Sequence, residues 1–125
     1  MSAFTDLTET TISRKEQYSG PLFTVHSDEV RLPNGNTSVR EVIEHVDGVA
    51  VLPLDEHNNV LTVTQYRYVF GKTLLEIPAG KLDPDEFLTV ERIPFDEMVH
   101  RCMNGEIQDA KTVAAVLKAK LLLNL

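Results

Sequence analysis

The sequence of 125 residues lacks the features that mark a secreted or membrane-embedded protein. Cys102 is its single cysteine, so no disulfide can form within the chain, which is typical of a reducing, cytoplasmic compartment. The polar amino-terminal stretch MSAFTDLTETTISRKEQ has no apolar run like that of a signal peptide. The longest apolar stretch, TVAAVLKAKLLL, is interrupted by Lys118 and Lys120 and is too short to cross a bilayer. We therefore expect a cytoplasmic protein without a membrane-spanning segment.

Positive charge is also scarce in this chain. It has 12 lysines and arginines against 19 aspartates and glutamates, which makes its formal net charge −7. Because an acidic surface repels the phosphates of nucleic acids and of anionic membranes, we expect neither as a partner. An anionic ligand would need local arginines or a bridging cation to attract it. The chain length and the hydrophobic content of 42% suffice for one domain and its core.

The first half of the sequence has the residue patterns of β-structure. Residues 22–32 and 37–45 carry spaced or alternating apolar side chains, and Asn34-Gly35 between them suits a tight hairpin turn. A nearly continuous apolar run at residues 48–55 predicts a strand covered on both faces. Three further strands are predicted at residues 60–68, 73–78 and 86–94.

Two helices are predicted at the carboxyl-terminal end. Phe95, Met98, Val99 and Cys102 follow the spacing i, i+3, i+4 and i+7, which places them on one face of a helix. Cys102 is then a small core residue. Asp109 suits the N-cap of a last helix through AKTVAAVLKAKLLL. The chain is therefore predicted to have an α+β fold, with an antiparallel hairpin region first and two helices last.

Two short stretches contain residues suited to an anionic ligand. Arg67 in QYRY ends a predicted strand, where a guanidinium can bind a phosphate or a carboxylate, although a solvated strand-end charge fits as well. In EIPAGKLD, Pro78 and Gly80 define a turn that can expose main-chain carbonyl oxygens. Such oxygens are ligands for Mg²⁺, but an ordinary strand-to-loop turn is the simpler alternative.

Other candidate residues carry weaker signals. Asp96 and Glu97 lie four and three residues before His100, a spacing that can bind a transition metal, but a solvated helix face explains them better. Glu86 and Glu91 are likewise better explained as carboxylates on a strand surface than as metal ligands. The sequence shows no Gly-rich phosphate loop and no convincing Ser-His-Asp set, and its four histidines are scattered.

The order of these stretches resembles the Nudix family, specifically its ADP-ribose pyrophosphatase branch. RLPNG, VREVIEH, GVAVLPLD, VLTVTQYRY and LLEIPAGKLD resemble the amino-terminal half, and residues 85–123 resemble the carboxyl-terminal end. The resemblance implies a Nudix-like mixed β-sheet and a Mg²⁺-dependent hydrolase that converts ADP-ribose and water to AMP and ribose 5-phosphate. The ligand it implies is ADP-ribose or a related nucleoside diphosphate. It also implies a homodimer formed through a β region at residues 1–46, with residues 47–125 as the Nudix-like core.

The catalytic Nudix box of that family, G-x5-E-x7-R-E-U-x-E-E-x-G-U with U a bulky apolar residue, is incomplete here. Gly80 and Glu86 fit its opening, but residues 94–99 are PFDEMV where the box requires R-E-U-x-E-E. The box glutamates hold the metal ions that neutralise the diphosphate and activate water. The resemblance therefore implies a truncated core without the central segment, inactive as it stands, in which Glu86 is the only remnant of the catalytic set and a bound Mg²⁺ is left open.

Several ligand-binding positions of the family are nevertheless retained. By the resemblance, Arg40 and Glu41 lie near the adenosine part of the ligand. Arg67 faces the diphosphate. Gly80 and the carbonyl oxygen of Ala79 lie beside the metal. Two other interpretations stay open, a non-catalytic nucleotide-binding relative and a dimerisation module derived from the Nudix fold.

Overall fold

The computed structural model describes residues 5–81 and 83–125. These residues divide into two compact units, one ending at Asp47 and the other spanning Gly48–Leu125. Both sheets of the structure are antiparallel, and two helices follow the last strand, so the predicted α+β class is confirmed. Within the described ranges neither helix has the length and apolar character needed to cross a membrane.

The first unit is a three-stranded antiparallel sheet in the order β1-β2-β3. The predicted hairpin is confirmed, because β2 and β3 pair along their whole length. Gly35 has a φ of +85° in the connecting turn, a conformation that a side chain would strain. The three strands are β1 (Thr10–Ser19), β2 (Phe23–Arg31) and β3 (Thr37–His45).

One face of this first sheet carries a closed ring of ionic contacts. Asp28, which is buried, accepts two hydrogen bonds from Arg14 at 2.9 and 2.8 Å. The buried His26 ring lies 2.9 Å from Asp28 through Nδ1 and 3.0 Å from Glu44 through Nε2. Arg14 closes the ring by donating to Glu44 at 3.4 Å. The hydrogen bonds from Arg14 are the main reason that the pKa of Asp28 lies below its ordinary value.

The opposite face of the first sheet carries exposed apolar side chains beside the exposed Glu29 and Glu41. Alternation along the strands places Phe23, Val39 and Ile43 on this face, and Tyr18 pairs with Val25 beside them. The Tyr18 and Phe23 rings are 5.3 Å apart. Tyr18, Phe23, Val39 and Ile43 are all exposed, so this unit leaves an apolar sheet face uncovered.

The second unit contains the other sheet and both helices. Its sheet has the order β5-β4-β6, and the antiparallel β4 lies at the centre. A 3-10 turn, Tyr68–Phe70, separates β4 from β5. The elements are β4 (Asn59–Arg67), β5 (Lys72–Glu76), β6 (Leu88–Pro94), α1 (Phe95–Met103) and α2 (Ala110–Leu123).

The core of the second unit lies between one face of the sheet and the two helices. The predicted apolar stripe on α1 is confirmed, since Phe95, Met98 and Cys102 are buried and Val99 is partly buried. Burial raises the pKa of the Cys102 thiol, as expected for a core cysteine. The buried cluster consists of Val60, Ile77, Ile93, Phe95, Met98, Cys102, Ile107 and Val116.

The secondary structure differs from the sequence-based prediction in two segments. The strand predicted at residues 48–55 is wrong: this segment makes only two isolated bridges, Ala50 with Ala79 and Leu54 with Val60. Pro53 has no N–H to donate to a sheet ladder, which disfavours regular pairing. Strand β1 was not predicted, because all of its residues are exposed and no apolar alternation marks it.

Candidate functional site

A cleft of about 110 Å³ lies at the carboxyl-terminal end of β5, where several predicted site residues meet. Val60 and Thr62 of β4 are buried. Val63, Gln65 and Arg67 alternate with them and point to the opposite face of the sheet. This second face is the floor of the cleft. The lining is completed by Ile77, Pro78, Ala79, Gly80, Glu86 and Leu88.

The predicted Pro-Ala-Gly turn forms one wall of the cleft. The Pro78 carbonyl accepts the N–H of Val51 at 2.9 Å, and the Gly80 N–H donates to Val49 at 2.9 Å. In this antiparallel pattern the bonds flank Ala79, so its own carbonyl turns away from the bridged segment. Gly80 has a φ of +68°, which favours glycine at this position. Contact between the Ala79 oxygen and a metal ion stays a prediction.

Arg67 is held in the cleft by a buried carboxylate. Its Nε and Nη2 donate to the two oxygens of Glu76, each at 2.7 Å, and Glu76 is only 2% exposed. These hydrogen bonds raise the pKa of Arg67, and the charges of Glu86 and Asp109 add to the effect. Arg67 is therefore an oriented side chain, which argues against the alternative of a solvated strand-end charge. Its Nη1 takes part in neither bond to Glu76.

The turn is tied to helix α2 through two buried polar groups. The N–H of Ile77 donates to the hydroxyl of Thr112 at 2.9 Å, and that hydroxyl donates to Asp109 at 2.6 Å. Asp109 also accepts the Thr112 N–H at 2.9 Å, which confirms its predicted role as the N-cap of α2. Burial acts to raise the pKa of Asp109, but hydrogen bonds from Lys111 and Thr112 outweigh it and lower the pKa.

Negative charge outweighs positive charge around Arg67. Glu76 binds it directly, and Glu86 and Asp109 lie close enough to affect its pKa. An anionic ligand at this position would therefore be repelled by two further carboxylates. A divalent cation that accompanies the anion would offset this repulsion.

The oxygen donors of the cleft determine which kind of cation would fit. Ala79 and Glu86 both line the cleft, and main-chain carbonyl and carboxylate oxygens are hard ligands. Within residues 5–81 and 83–125 no cluster of three or more His, Cys, Asp or Glu side chains is arranged to hold a metal ion. Mg²⁺ often has only one or two protein ligands, and phosphate oxygens and water complete its six-fold coordination. The donor set thus fits a Mg²⁺ ion bound to a diphosphate.

The weaker metal candidates on α1 are engaged in surface ion pairs. Asp96 lies 3.3 Å from Lys120, and Glu97 accepts a hydrogen bond from Arg101 at 2.9 Å. Hydrogen bonding to Glu97 raises the pKa of Arg101. This arrangement matches the solvated helix face that was the alternative to a metal site with His100.

The remaining predicted ligand residues, Arg40 and Glu41, lie on β3 in the first unit. Arg40 donates to Glu9 at 2.9 and 2.6 Å and to Ser38 at 3.0 Å. Because successive residues of a strand point to opposite faces, a ligand on one face of this sheet can contact only one of the two side chains. Their contact with the adenosine part of a ligand stays a prediction.

Comparison with known proteins finds similarity to a domain family and to curated proteins over parts of this chain. The profile of the nucleoside diphosphate sugar hydrolase N-terminal domain matches residues 9–43. The ADP-ribose pyrophosphatase of Mycobacterium tuberculosis is 42% identical over 73 residues, which cover 58% of this chain and 35% of that protein. Over part of its length this chain is thus similar to ADP-ribose pyrophosphatases. The resemblance to that Nudix branch, which the sequence motifs indicated, is thereby confirmed.

Other similarities define how far this relationship extends. The methanol dehydrogenase activator of Bacillus methanolicus is 42% identical over 78 residues, or 62% of this chain and 42% of that protein. The chain spans between 35% and 43% of the length of the curated relatives it matches. A solved structure described as an ADP compounds hydrolase has a TM-score of 0.79 at 15% identity, covering 96% of this chain and 97% of that one. The Nudix-like fold is therefore confirmed.

Proposed function

We propose that this chain binds a nucleoside diphosphate sugar of the ADP-ribose type, with its diphosphate in the cleft beside Arg67. The observation that carries the proposal is the orientation of Arg67, which lies on the floor of the cleft, by the buried Glu76. A guanidinium that is already fixed loses little further freedom when it binds a phosphate. The related ADP-ribose pyrophosphatases supply the class of ligand.

Three groups of this chain would hold the diphosphate together with its cation. The Nη1 group of Arg67 is left for a phosphate oxygen, because Nε and Nη2 are bound to Glu76. The Ala79 carbonyl and Glu86 would contact a Mg²⁺ ion carried by the ligand, and that ion would neutralise charge on the diphosphate. The cation is then part of the recognised ligand, in agreement with the excess of carboxylates around Arg67.

We propose that the chain by itself does not hydrolyse this ligand. Hydrolysis requires carboxylates that bind metal and activate water, which the Nudix box normally supplies. At the corresponding positions Phe95 and Met98 are buried in the core, and Asp96 and Glu97 pair with Lys120 and Arg101. These contacts support the proposal, because they engage the helix residues with the core and with surface cations, and none of these residues lines the cleft.

We also propose that the chain forms a homodimer in the cytoplasm through its first unit. The exposed apolar face defined by Tyr18, Phe23, Val39 and Ile43 supports this proposal, since a second copy would cover it. A role as a dimerisation module alone remains the second candidate function. The two candidates differ in one respect that is easy to measure, which is affinity for ADP-ribose.

Titration calorimetry with ADP-ribose tests the proposed binding. We expect saturable binding heat in the presence of Mg²⁺ and weaker binding after its removal by a chelator.

Arg67→Ala should abolish the binding, and Arg67→Lys should weaken it, since an ammonium cannot bind Glu76 and a phosphate in the same geometry. Arg101→Ala is the matched control, because Arg101 also pairs with a glutamate but lies on α1. Circular dichroism of each variant checks folding. Absence of saturable binding by the unmodified chain would refute the proposal.

A further inference from the structure

The second unit has a groove whose apolar side chains are strongly exposed. The groove encloses about 520 Å³, and its apolar lining, the aromatic groove, consists of Tyr66, Tyr68, Val69, Phe70 and Phe87. Tyr68, Val69 and Phe87 are 89%, 88% and 85% exposed. Single exposed apolar side chains are ordinary, whereas a cluster of this size marks an interaction surface.

Backbone geometry explains why these side chains are gathered there. The 3-10 turn Tyr68–Phe70 follows β4 directly and ends at Gly71, which has a φ of +64°. This sharp reversal places Tyr66 before the turn and Phe70 at its end on the same groove. Phe87 completes the set from the segment that precedes β6.

The last turns of α2 present another exposed apolar surface. Lys118, Leu121 and Leu122 follow the spacing i, i+3 and i+4, so they are neighbours on one side of the helix. We call these three residues the outer end of α2. Lys118 is exposed, and Leu121 and Leu122 are 84% and 71% exposed, whereas Val116 of the same helix is fully buried in the core. A helix that is apolar on its solvent side as well is ordinarily covered by another element.

Charge determines which of the exposed apolar surfaces can meet. Asp85 and Glu86 line the aromatic groove, so two grooves placed against each other would bring four carboxylates together. The outer end of α2 carries the positive charge of Lys118 beside its leucines. An apolar surface with a cation therefore complements an apolar groove with carboxylates.

We infer that the aromatic groove of one copy of this chain binds the outer end of α2 from another copy. Leu121 and Leu122 pack on the groove side chains, and Lys118 lies toward Asp85, in the manner of an amphipathic helix in an apolar groove. The contact is head-to-tail, because the groove and the helix end are different surfaces. It goes beyond the proposed dimer, since it would link dimers formed through the first unit into larger assemblies.

The small size of the helix end determines the strength of this contact. Two leucines and a lysine cover less area than a standard protein interface, and interfaces of small area are weak and transient. We therefore expect the contact only at protein concentrations well above those at which the first-unit dimer forms.

Nuclear magnetic resonance of mixed variants tests the contact. Leu122→Asp disrupts the helix end and keeps the groove, whereas Phe87→Asp disrupts the groove and keeps the helix end. Both variants also carry Ile43→Glu, so that the first-unit dimer does not enter the measurement. We expect neither variant to associate with itself. When ¹⁵N-labelled Leu122→Asp is mixed with excess unlabelled Phe87→Asp, the amide resonances of residues 68–71 and 85–87 should shift.

A control variant and a charge reversal sharpen this test. Met103→Asp changes another exposed apolar residue, at the end of α1, and should leave the contact intact. Lys118→Glu in the copy that supplies the helix should weaken the contact roughly two- to fivefold. Asp85→Lys in the copy that supplies the groove should then restore it. Lys15→Glu, on the exposed β1, is the control for charge. Circular dichroism checks the folding of each variant.

Other results would overturn the inference. Labelled Leu122→Asp that associates with itself would show groove against groove, and Phe87→Asp that does so would show helix against helix. Shifts confined to residues 23–45 would place the helix end on the first sheet instead. No shift in the mixture at the highest soluble concentration would exclude the contact. None of these results bears on the binding of ADP-ribose, which calorimetry measures separately.

Discussion

The hydroxyl of Thr112 in α2 accepts the backbone N–H of Ile77 at 2.9 Å, although the two residues are 35 positions apart. Thr112 is fully buried, so this hydroxyl is shielded from water. The same hydroxyl donates a hydrogen bond to Asp109 at 2.6 Å, and Asp109 caps the helix. The start of α2 thereby fixes the end of β5, immediately before the turn that forms the wall of the cleft.

Removal of the Thr112 hydroxyl should destabilise the fold. Thr112→Val has nearly the same shape but leaves the buried N–H of Ile77 without its acceptor, which should cost about 1–3 kcal/mol in the free energy of unfolding. Thr112→Ser keeps the hydroxyl and should cost less. Urea denaturation followed by circular dichroism measures both. Equal stability of the valine and serine variants would show that the hydrogen bond to Ile77 contributes nothing.

The charge of Asp109 should make stability depend on pH. Its pKa in the folded chain is lowered, so the carboxylate stabilises the fold above its unfolded-state pKa of about 3.9, and this contribution disappears as pH falls through the folded-state pKa. Asp109→Asn retains a good N-cap without a titrating group. The stability advantage of the unmodified chain over Asp109→Asn should therefore shrink between about pH 5 and pH 2. Urea midpoints at both pH values test this, and a constant difference would contradict it.

Glu76 should affect ligand binding although it does not line the diphosphate cleft. Glu76→Gln replaces a buried acceptor of two hydrogen bonds by an amide that can accept from only one side of Arg67. We expect a loss of about 1–3 kcal/mol in stability and weaker binding of ADP-ribose, because Arg67 loses its orientation. Glu56→Gln, which changes an exposed carboxylate, is the control for charge. Unchanged affinity with lowered stability would limit Glu76 to a structural role.

The apolar face of the first sheet should be needed for the dimer. Ile43→Glu places a charge among these exposed apolar side chains, opposite Val25, and should shift the chain toward monomer. Leu7→Glu introduces the same charge at another exposed apolar residue outside the strands and is the control. Light scattering over a range of concentrations distinguishes the two forms. A dimer that tolerates Ile43→Glu, or an unmodified chain that is monomeric, would contradict this prediction.

Local patterns in the sequence predicted the elements whose burial is periodic. Strand β4 and helix α1 alternate buried and exposed residues with the period of their type, and Asp109 marks the start of α2 directly. Strand β1 has no buried residue, so its pairing with β2 left no such pattern. The run at residues 48–55 is apolar but contains Pro53, and apolarity alone does not distinguish a strand from a packed loop.

The sequence predicted residues of the candidate site only where a residue type or a short motif indicates a binding role by itself. Arg67 and the Pro-Ala-Gly turn could be identified from residue type and position. Glu76 and Thr112, which hold them in place, had no recognisable signal, because their roles depend on contacts between distant parts of the chain. The groove lined by Tyr68, Phe70 and Phe87 was missed for the same reason, since Phe87 joins the rings of the 3-10 turn only in the folded chain.

The proposal of binding without hydrolysis is tested most directly by ³¹P nuclear magnetic resonance of ADP-ribose mixed with this chain and Mg²⁺. We predict that the two diphosphate resonances shift or broaden on addition of the unmodified chain and not on addition of Arg67→Ala, and that no phosphomonoester resonances of AMP and ribose 5-phosphate develop. Phosphomonoester resonances that grow with time and stop on chelation of Mg²⁺ would contradict the absence of hydrolysis. Diphosphate resonances that remain unchanged would contradict binding at Arg67.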